Sequence, residues 1–216
     1  MTDAALQFRS TWHAVENALG ILAMSGRADE ASVASTQADA EFVAEALNGD
    51  GDAYGKVIEL HQGTIAAQMR RFSRDHAVVE ELVHDVFVEA YVSLKSYRAN
   101  SPLLHWLRKI AVRVGYRYWK RQSRQVEKAI PISEIKDELS QLSDELTEGP
   151  RNASETLGGL LDLLPPADRL VLTLIYWDGC SVAEAAEFAG WSKAKVKVQA
   201  FRARNRLQSL IEESLK

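Results

Sequence analysis

Apolar residues recur along this chain at the three-to-four-residue spacing of α-helices, and strand-like alternation of apolar and polar positions is absent. The pattern predicts an amphipathic helix over residues 5–23, then helices over Ala40–Leu47, Ala53–Phe72, Ala77–Leu94 and from Pro102 onward. Ser25 to Asp39 are small and polar, which predicts a flexible joint. We therefore expect an all-α protein.

The last fifty residues or so predict a helix-turn-helix. Ser181 and Glu184 have the spacing of a capping box, in which each side chain bonds the other residue's backbone N–H, so a helix begins there. Gly190 tolerates the left-handed turn that ends this helix, and Ser192 can cap the next one, which runs to about Leu210. One buried stripe is predicted on that second helix: Val196, Ala200, Ala203, Leu207 and Leu210.

The chain is expected to contain two small helical modules, residues 40–125 and 154–216. A flexible acidic linker, residues 126–153, joins them, because this stretch has weak periodicity, many acids and the pair Gly149-Pro150. Residues 1–39 form an N-terminal helix and joint before the first module. Pro165-Pro166 marks the start of the second helix of the C-terminal module.

Charge is strongly segregated. The formal net charge is -4, yet Ala90 to Val126 contains nine Lys or Arg residues and no Asp or Glu, and no acid lies between Phe188 and Ile211. A local basic stripe attracts phosphates whatever the net charge. The acidic remainder should weaken binding of the isolated chain to DNA. Local basic stripes in a chain of net negative charge indicate a protein that binds DNA together with a partner.

The final helix has the geometry of a recognition helix for the DNA major groove. Its N-terminal half offers donors for base edges, and its later arginines are placed to hold phosphates. The base-reading candidates are Lys193, Lys195, Lys197 and Gln199, and the phosphate candidates are Arg202, Arg204 and Arg206. The alternative is a basic amphipathic helix that is only a solvated surface; the capped helix and Gly turn before it argue against that.

The helix after Pro102 combines a basic stripe with an aromatic residue. Trp106 projects with the cations Lys109, Arg113, Arg117, Lys120 and Arg124. Unstacked bases can lie on an aromatic face while cations follow the backbone, so the stripe suits melted or single-stranded nucleic acid. In the alternative interpretation, Trp106, Tyr116 and Trp119 are half-buried packing residues.

Several function classes are disfavoured. A single cysteine, Cys180, excludes a disulfide framework, and no signal peptide or membrane span is seen, so we expect a cytoplasmic protein without membrane insertion. The five histidines lack metal-ligand spacing, and neither a phosphate loop nor a nucleophile elbow is present. No cofactor, metal or catalytic residue is expected.

Two groups of motifs resemble the extracytoplasmic-function sigma factors of bacterial RNA polymerase. In the first module they are Glu80-Glu81-Leu82-Val83-His84-Asp85-Val86-Phe87 and Trp106-Leu107-Arg108-Lys109-Ile110-Ala111; in the second, Leu163-Leu164-Pro165-Pro166 and residues 196–204. The resemblance covers about residues 40–124 and 154–212. It implies that the first module binds the clamp of core RNA polymerase and melts the −10 element of promoter DNA, and that the second reads the −35 element.

The resemblance also implies roles for individual residues. Clamp binding would fall to Asp85, Phe87 and Glu89. Asn100, Ser101 and Leu103 would lie in or beside a loop that captures a flipped base, and Trp106, Lys109, Arg113, Arg117 and Lys120 would face the opened strand or its upstream duplex. The −35 contacts would come from Ser192, Lys193, Lys195, Lys197, Gln199, Arg202 and Arg204.

The chain departs from the family at several positions. His84 replaces the usual Gln, Lys195 a frequent Thr and Gln199 a frequent Arg, so the promoter sequence cannot be carried over. The helix before Ala40 lies outside the family core and is either a docking element or extra packing. Members are commonly restrained by an anti-sigma factor, which the resemblance adds as an expected partner.

Two other functions remain open at this point. A conventional helix-turn-helix regulator would use residues 1–124 for sensing or dimerisation and would bind its operator tightly without a partner. A helical adaptor with no role at DNA would leave both acid-free basic segments unexplained.

Overall fold

The computed structural model describes residues 35–129 and 158–214, and every regular element in them is helical. These residues belong to two compact units: the first is formed mainly by residues up to Lys120, and the second mainly by residues from Arg121 onward. The predicted all-α, two-module fold is confirmed. The helix expected at residues 5–23 and most of the acidic linker lie outside the described residues.

The first unit contains four helices. They are α1 (Ser35–Leu47), α2 (Gly51–Met69), α3 (His76–Ser93) and α4 (Leu103–Ala129), with a short 3₁₀ turn at Leu94–Ser96 after α3. Aspartates start two of them: the Asp50 carboxylate accepts from the N–H groups of Asp52 and Ala53, and Asp75 caps α3 through Ala77. α4 begins at Leu103, one residue after the predicted start at Pro102.

The predicted joint is wrong at its C-terminal end, because residues 35–39 are already helical. Asp39 is buried in α1, and its carboxylate lies 2.9 Å from Nε2 of the buried His61 on α2. This pairing gives a polar residue a reason to be inside the helical core. From the sequence, Asp39 is expected in a polar joint, because its partner His61 lies 22 positions away and is not evident from the local pattern.

α4 packs against the end of α2 at a point where no side chain fits. A Cβ on Gly115 would lie 2.4 Å from ring atoms of Phe72. The Trp119 indole N–H donates to the Phe72 carbonyl at 2.9 Å, and the two rings pack with centroids 4.4 Å apart. Trp119 is therefore a core residue, as one of the two interpretations of the aromatics expected.

The second unit begins with helical residues 158–162 and continues with α5 (Pro166–Leu172), a π-helical turn (Thr173–Trp177), α6 (Val182–Ala189) and α7 (Lys193–Ser214). The π-helical turn was not predicted. Its bond from the Asp178 N–H to the Thr173 carbonyl spans five residues, so the apolar positions there do not follow the spacing of an α-helix.

The predicted helix-turn-helix is confirmed in detail. The Ser181 N–H donates to the Glu184 carboxylate at 2.8 Å, and the Glu184 N–H donates to the Ser181 hydroxyl at 3.2 Å. Gly190 has a φ of +67°, and the Ser192 hydroxyl accepts from the Lys195 N–H at 3.1 Å. The stripe on α7 is buried at Val196, Ala200, Ala203 and Leu207, and it ends at Ile211 because Leu210 is only half-buried.

None of the helices in residues 35–129 and 158–214 combines the length and apolar character that a membrane span requires.

We predict that Gly115→Ala lowers the free energy of unfolding of the first unit by about 1–3 kcal/mol, because the new methyl group must displace Phe72 and strain the contact with Trp119. Urea unfolding followed by circular dichroism measures the change.

Gly63→Ala is the matched control, since Gly63 lies within α2 and a Cβ there would meet no atom within 4 Å. This substitution should stabilise the helix by about 0.5–1 kcal/mol. Equal stability of Gly115→Ala and the wild type would contradict the packing described for α4.

Candidate nucleic-acid interface

The cations of α4 form an outward stripe. Arg113, Arg117 and Lys120 are exposed and lie at i, i+4 and i+7, while Lys109, one turn earlier, is half-buried. On the other side of the helix Leu107, Ile110, Ala111 and Val114 are buried. The apolar side fixes the helix in the unit, and the stripe is therefore held on its surface.

One cation of the stripe is paired across to α3. The Arg117 guanidinium donates to both carboxylate oxygens of Glu89 and forms an ion pair with it. Arg117 was predicted to face DNA, and Glu89 to face polymerase. The structure brings these two candidate residues together, so each partly neutralises the charge that the other presents at the surface.

The loop before α4 is a folded turn. The Tyr97 hydroxyl donates to the Ser101 carbonyl at 2.8 Å, and the Tyr97 and Trp106 rings pack with centroids 5.4 Å apart. Ala99 has a φ of +54°, a left-handed conformation that is uncommon outside glycine. Burial, with a smaller contribution from Asp39, raises the pKa of the Tyr97 phenol.

Trp106 is half-buried against Tyr97, whereas Asn100 is exposed and Ser101 half-buried. The loop thus presents a polar side chain, and Trp106 lies in the first turn of the helix that follows. A polar group can hydrogen-bond an unstacked base, and an aromatic ring can stack on one.

Two predicted contact residues need correction. Leu103 is 0% exposed and Phe87 is 4% exposed, and both belong to the core of the first unit. Neither side chain can touch DNA or polymerase in this fold. Their apolar character reflects the need to fill the interior, which the resemblance could not separate from a contact role.

The surface of α3 carries an apolar patch beside the candidate polymerase contacts. Asp85 and Glu89 are half-buried, and Val88, Tyr91 and Val92 are 48%, 53% and 78% exposed. Sequence reasoning missed these three residues. Their i, i+3, i+4 spacing, on a different side of the helix from the buried Leu82 and Val86, was the signal that could have found them.

On α7 the predicted cations are mostly outward. Lys193, Lys197 and Arg202 are exposed, as is Ser192, which caps the helix. Lys195 is also exposed, and its ammonium lies 4.2 Å from the centroid of the Trp191 ring. A cation over an aromatic face is held by the ring's negative potential.

Three other polar residues of α7 are already engaged. Gln199 is half-buried and its amide donates to the carboxylate of Asp168, which corrects the expectation that it is a free donor for base edges. Arg206 donates to the other oxygen of Asp168. Arg204 is half-buried and donates to the Tyr176 hydroxyl at 3.1 Å.

Two apolar residues on α7 stand among the exposed cations. Val198 is 50% exposed and Phe201 is 58% exposed, and they lie three residues apart on the outer face. The sequence prediction did not include these two residues. Their positions outside the buried stripe were the signal that they face outward. Apolar side chains in a major groove contact the methyl groups of thymines.

The described residues contain no group of three or more His, Cys, Asp or Glu side chains that could hold a metal ion. On their surfaces the two units present cations, which suit phosphates, and aromatic or apolar side chains, which suit bases.

Comparison with known proteins identifies both units. Residues 57–125 match the family described as Sigma-70 region 2, and residues 154–207 match Sigma-70, region 4. The ECF RNA polymerase sigma-E factor of Escherichia coli (strain K12) is 29% identical over 187 residues, which cover 80% of this chain and 96% of that protein.

The ECF RNA polymerase sigma factor SigM of Bacillus subtilis (strain 168) is 26% identical over 158 residues, or 72% of this chain and 93% of that protein. The solved structure of CnrH in complex with the cytosolic domain of CnrY shares the fold, with a TM-score of 0.50 and 23% identity over 81% of this chain and 97% of that one. The two matched regions lie in the family's order along one chain, one in each helical unit, and the chain belongs to the extracytoplasmic-function sigma factors, which direct RNA polymerase to promoters.

Proposed function

We propose that the two units divide the work of promoter recognition, with residues 40–125 as the core-binding and melting module and 154–216 as the −35 module. Residues 126–153 connect them. In this proposal α3 binds the clamp of core polymerase, α4 and the loop at 97–102 act on the −10 element, and α7 enters the major groove of the −35 element. The chain would act in the cytoplasm and needs no catalytic group, because the polymerase performs the chemistry.

The observation that supports this function best is the combination found around α4. Exposed cations (Arg113, Arg117 and Lys120) follow Trp106 along α4, and the turn before the helix exposes Asn100. Cations alone would suit any duplex, whereas an aromatic residue and a polar loop on the same element suit bases that have left the stack. A regulator of closed duplex DNA has no use for that pairing.

For α7 the geometry favours a division between its outward side chains. Lys193, Lys197 and Arg202 are exposed cations, which suits phosphates. Val198 and Phe201 lie between them and would carry sequence preference through apolar contact with thymine methyl groups. Lys195 is steered by Trp191 toward the N-terminal end of the helix, where base edges are closest in this kind of docking.

The polymerase surface would combine Asp85 and Glu89 with the apolar patch Val88, Tyr91 and Val92. A patch of this kind next to carboxylates is typical of a protein contact with a basic partner. Binding of Glu89 by the clamp would release Arg117 from its ion pair, which leaves that cation free for DNA.

An anti-sigma factor is proposed as a further partner. CnrH was solved with the cytosolic domain of CnrY bound to it. A restraining protein for this chain would have to cover the polymerase surface or the DNA faces to be effective.

We predict that promoter opening requires this protein and core polymerase together. Thymines of the −10 element should become reactive to permanganate in the presence of both and remain unreactive with either alone, because α4 is presented to DNA only on the clamp.

Trp106→Ala should reduce that reactivity several-fold more than it reduces closed-complex binding, since base stacking is worth about 1–3 kcal/mol per base. Tyr118→Ala, a half-buried aromatic further along α4, serves as the control for lost packing. An equal loss of opening and of closed-complex binding would remove Trp106 from the melting site.

Asp85→Arg is expected to abolish co-purification with core polymerase without changing helicity or melting temperature. Reversing the charge of a partly desolvated carboxylate at an interface costs about 2–5 kcal/mol. Glu80→Arg, which reverses an exposed carboxylate one turn and a half earlier on α3, should leave co-purification intact. Retention of core polymerase by Asp85→Arg would exclude Asp85 from the interface.

Phe201→Ala and Arg202→Ala are expected to differ in kind. With the holoenzyme, Phe201→Ala should reduce discrimination between the preferred −35 sequence and single-base variants by about tenfold, as one base contact would. Arg202→Ala should weaken binding to all sequences alike and reduce the salt slope by about one. If Phe201→Ala weakens all sequences equally, the proposed outer face of α7 is wrong.

A further inference from the structure

Asp168 is a carboxylate in a place where carboxylates are rare. It lies in the first turn of α5 and is 0% exposed. Each of its carboxylate oxygens accepts a hydrogen bond from a side chain of α7. Oδ1 accepts from the Gln199 amide, and Oδ2 accepts from the Arg206 guanidinium. The partners are seven residues apart, which is close to two turns, so they project from one side of α7.

The pairing is poorly explained by stability alone. Burying a carboxylate is costly unless every acceptor is bonded, and apolar replacements of buried ion pairs are often as stable. Asp162, six residues earlier, shows the ordinary solution, because its half-exposed carboxylate pairs with Arg169. The best-attested use of a buried polar contact is to specify register.

A recognition helix needs a fixed register, that is, a fixed rotation about its own axis relative to the helix on which it packs. The buried stripe of α7 has Ala200 and Ala203 at its centre, and such small side chains allow a helix to rotate on its neighbour. A shift by one residue turns the outward face by about 100°. Two polar contacts two turns apart resist that rotation, since both would break at once.

The same contacts decide which donors reach the groove. Gln199 and Arg206 are drawn toward α5, and the outer face is left to Lys197, Val198 and Phe201. We propose that Asp168 is a positioning residue for base recognition, which sets the rotation of α7 through Gln199 and Arg206 and keeps these two donors away from DNA. The inference rests on the proposed reading of the −35 element by α7.

The test measures the sequence preference of the holoenzyme with two promoter libraries, one randomised in the −35 element and one in the −10 element. Asp168→Ala should lower discrimination within the −35 element about tenfold and leave the −10 preference unchanged. Its salt slope should rise by about one, because the released Arg206 can reach a phosphate.

Asp168→Asn should retain the −35 preference. The Asn carbonyl can accept from Arg206, and its amide can donate to Gln199 once the Gln amide is turned over. Asp162→Ala is the matched control, as it removes a carboxylate of the same unit that is not bonded to α7, and it should change neither preference.

If Asp168→Ala weakens binding to all −35 sequences equally and also lowers the melting temperature, Asp168 has only a structural role and the proposal is overturned. The proposal is also overturned if Asp168→Ala keeps the −35 preference of the wild type. It is likewise overturned if Asp168→Asn loses that preference as completely as Asp168→Ala does. A wild-type holoenzyme with no −35 preference would instead refute the proposed function of α7 itself.

An exchange of groups keeps the proposal testable if Asp168→Ala does not fold. Gln199→Glu sets two carboxylates against each other and should lose the −35 preference, and Asp168→Asn/Gln199→Glu should regain it by restoring an amide–carboxylate bond. If Gln199 contacted bases directly, a substitution at the buried residue Asp168 on α5 could not restore the preference that Gln199→Glu had lost. Failure of the second substitution to restore the preference would therefore overturn the proposal.

Discussion

Burial of one apolar side is the constraint on which both basic helices depend. α4 buries Leu107, Ile110 and Val114, and α7 buries Val196, Ala203 and Leu207. A helix anchored in this way can keep repelling cations close together on its other side, because the burial of apolar area offsets the cost of holding like charges. The function of the chain follows from what the anchored helices present outward.

Those outward charges act over short distances. At physiological ionic strength the Debye length is about 8 Å, so a phosphate in contact with the stripe responds mainly to charges within that distance. The net charge of -4 gives the chain as a whole no general attraction for DNA. A protein built in this way gains access to promoters when a partner brings it there. The pairing of Arg117 with Glu89 fits the same logic, since a partner that binds the carboxylate frees the cation.

The local features of the fold could be predicted from the sequence, because each has a local cause. The capping box at Ser181 and Glu184 and the left-handed turn at Gly190 depend on residues within a few positions of one another. The apolar stripe of α7 was likewise read correctly up to Leu207.

Features with distant causes were missed. The Gln199 side chain looked free because Asp168 is 31 residues away, and residues 35–39 looked like a joint because His61 is not their neighbour in sequence. The sequence alone does not separate a contact role from a core role for Leu103 and Phe87, because an apolar side chain has the same appearance in sequence whether it fills a core or contacts a partner. Exposure resolves that ambiguity, and it also reveals Val198 and Phe201 as outward residues.

In the proposed function, one chain confers promoter specificity on RNA polymerase through two separate units. The decisive experiment is run-off transcription of fragmented genomic DNA by core polymerase, with and without the protein, followed by sequencing of the start sites. We expect new start sites that appear only with the protein and share two sequence elements at a fixed spacing upstream. Start sites that do not depend on the protein, or dependent ones that share no upstream elements, would contradict it.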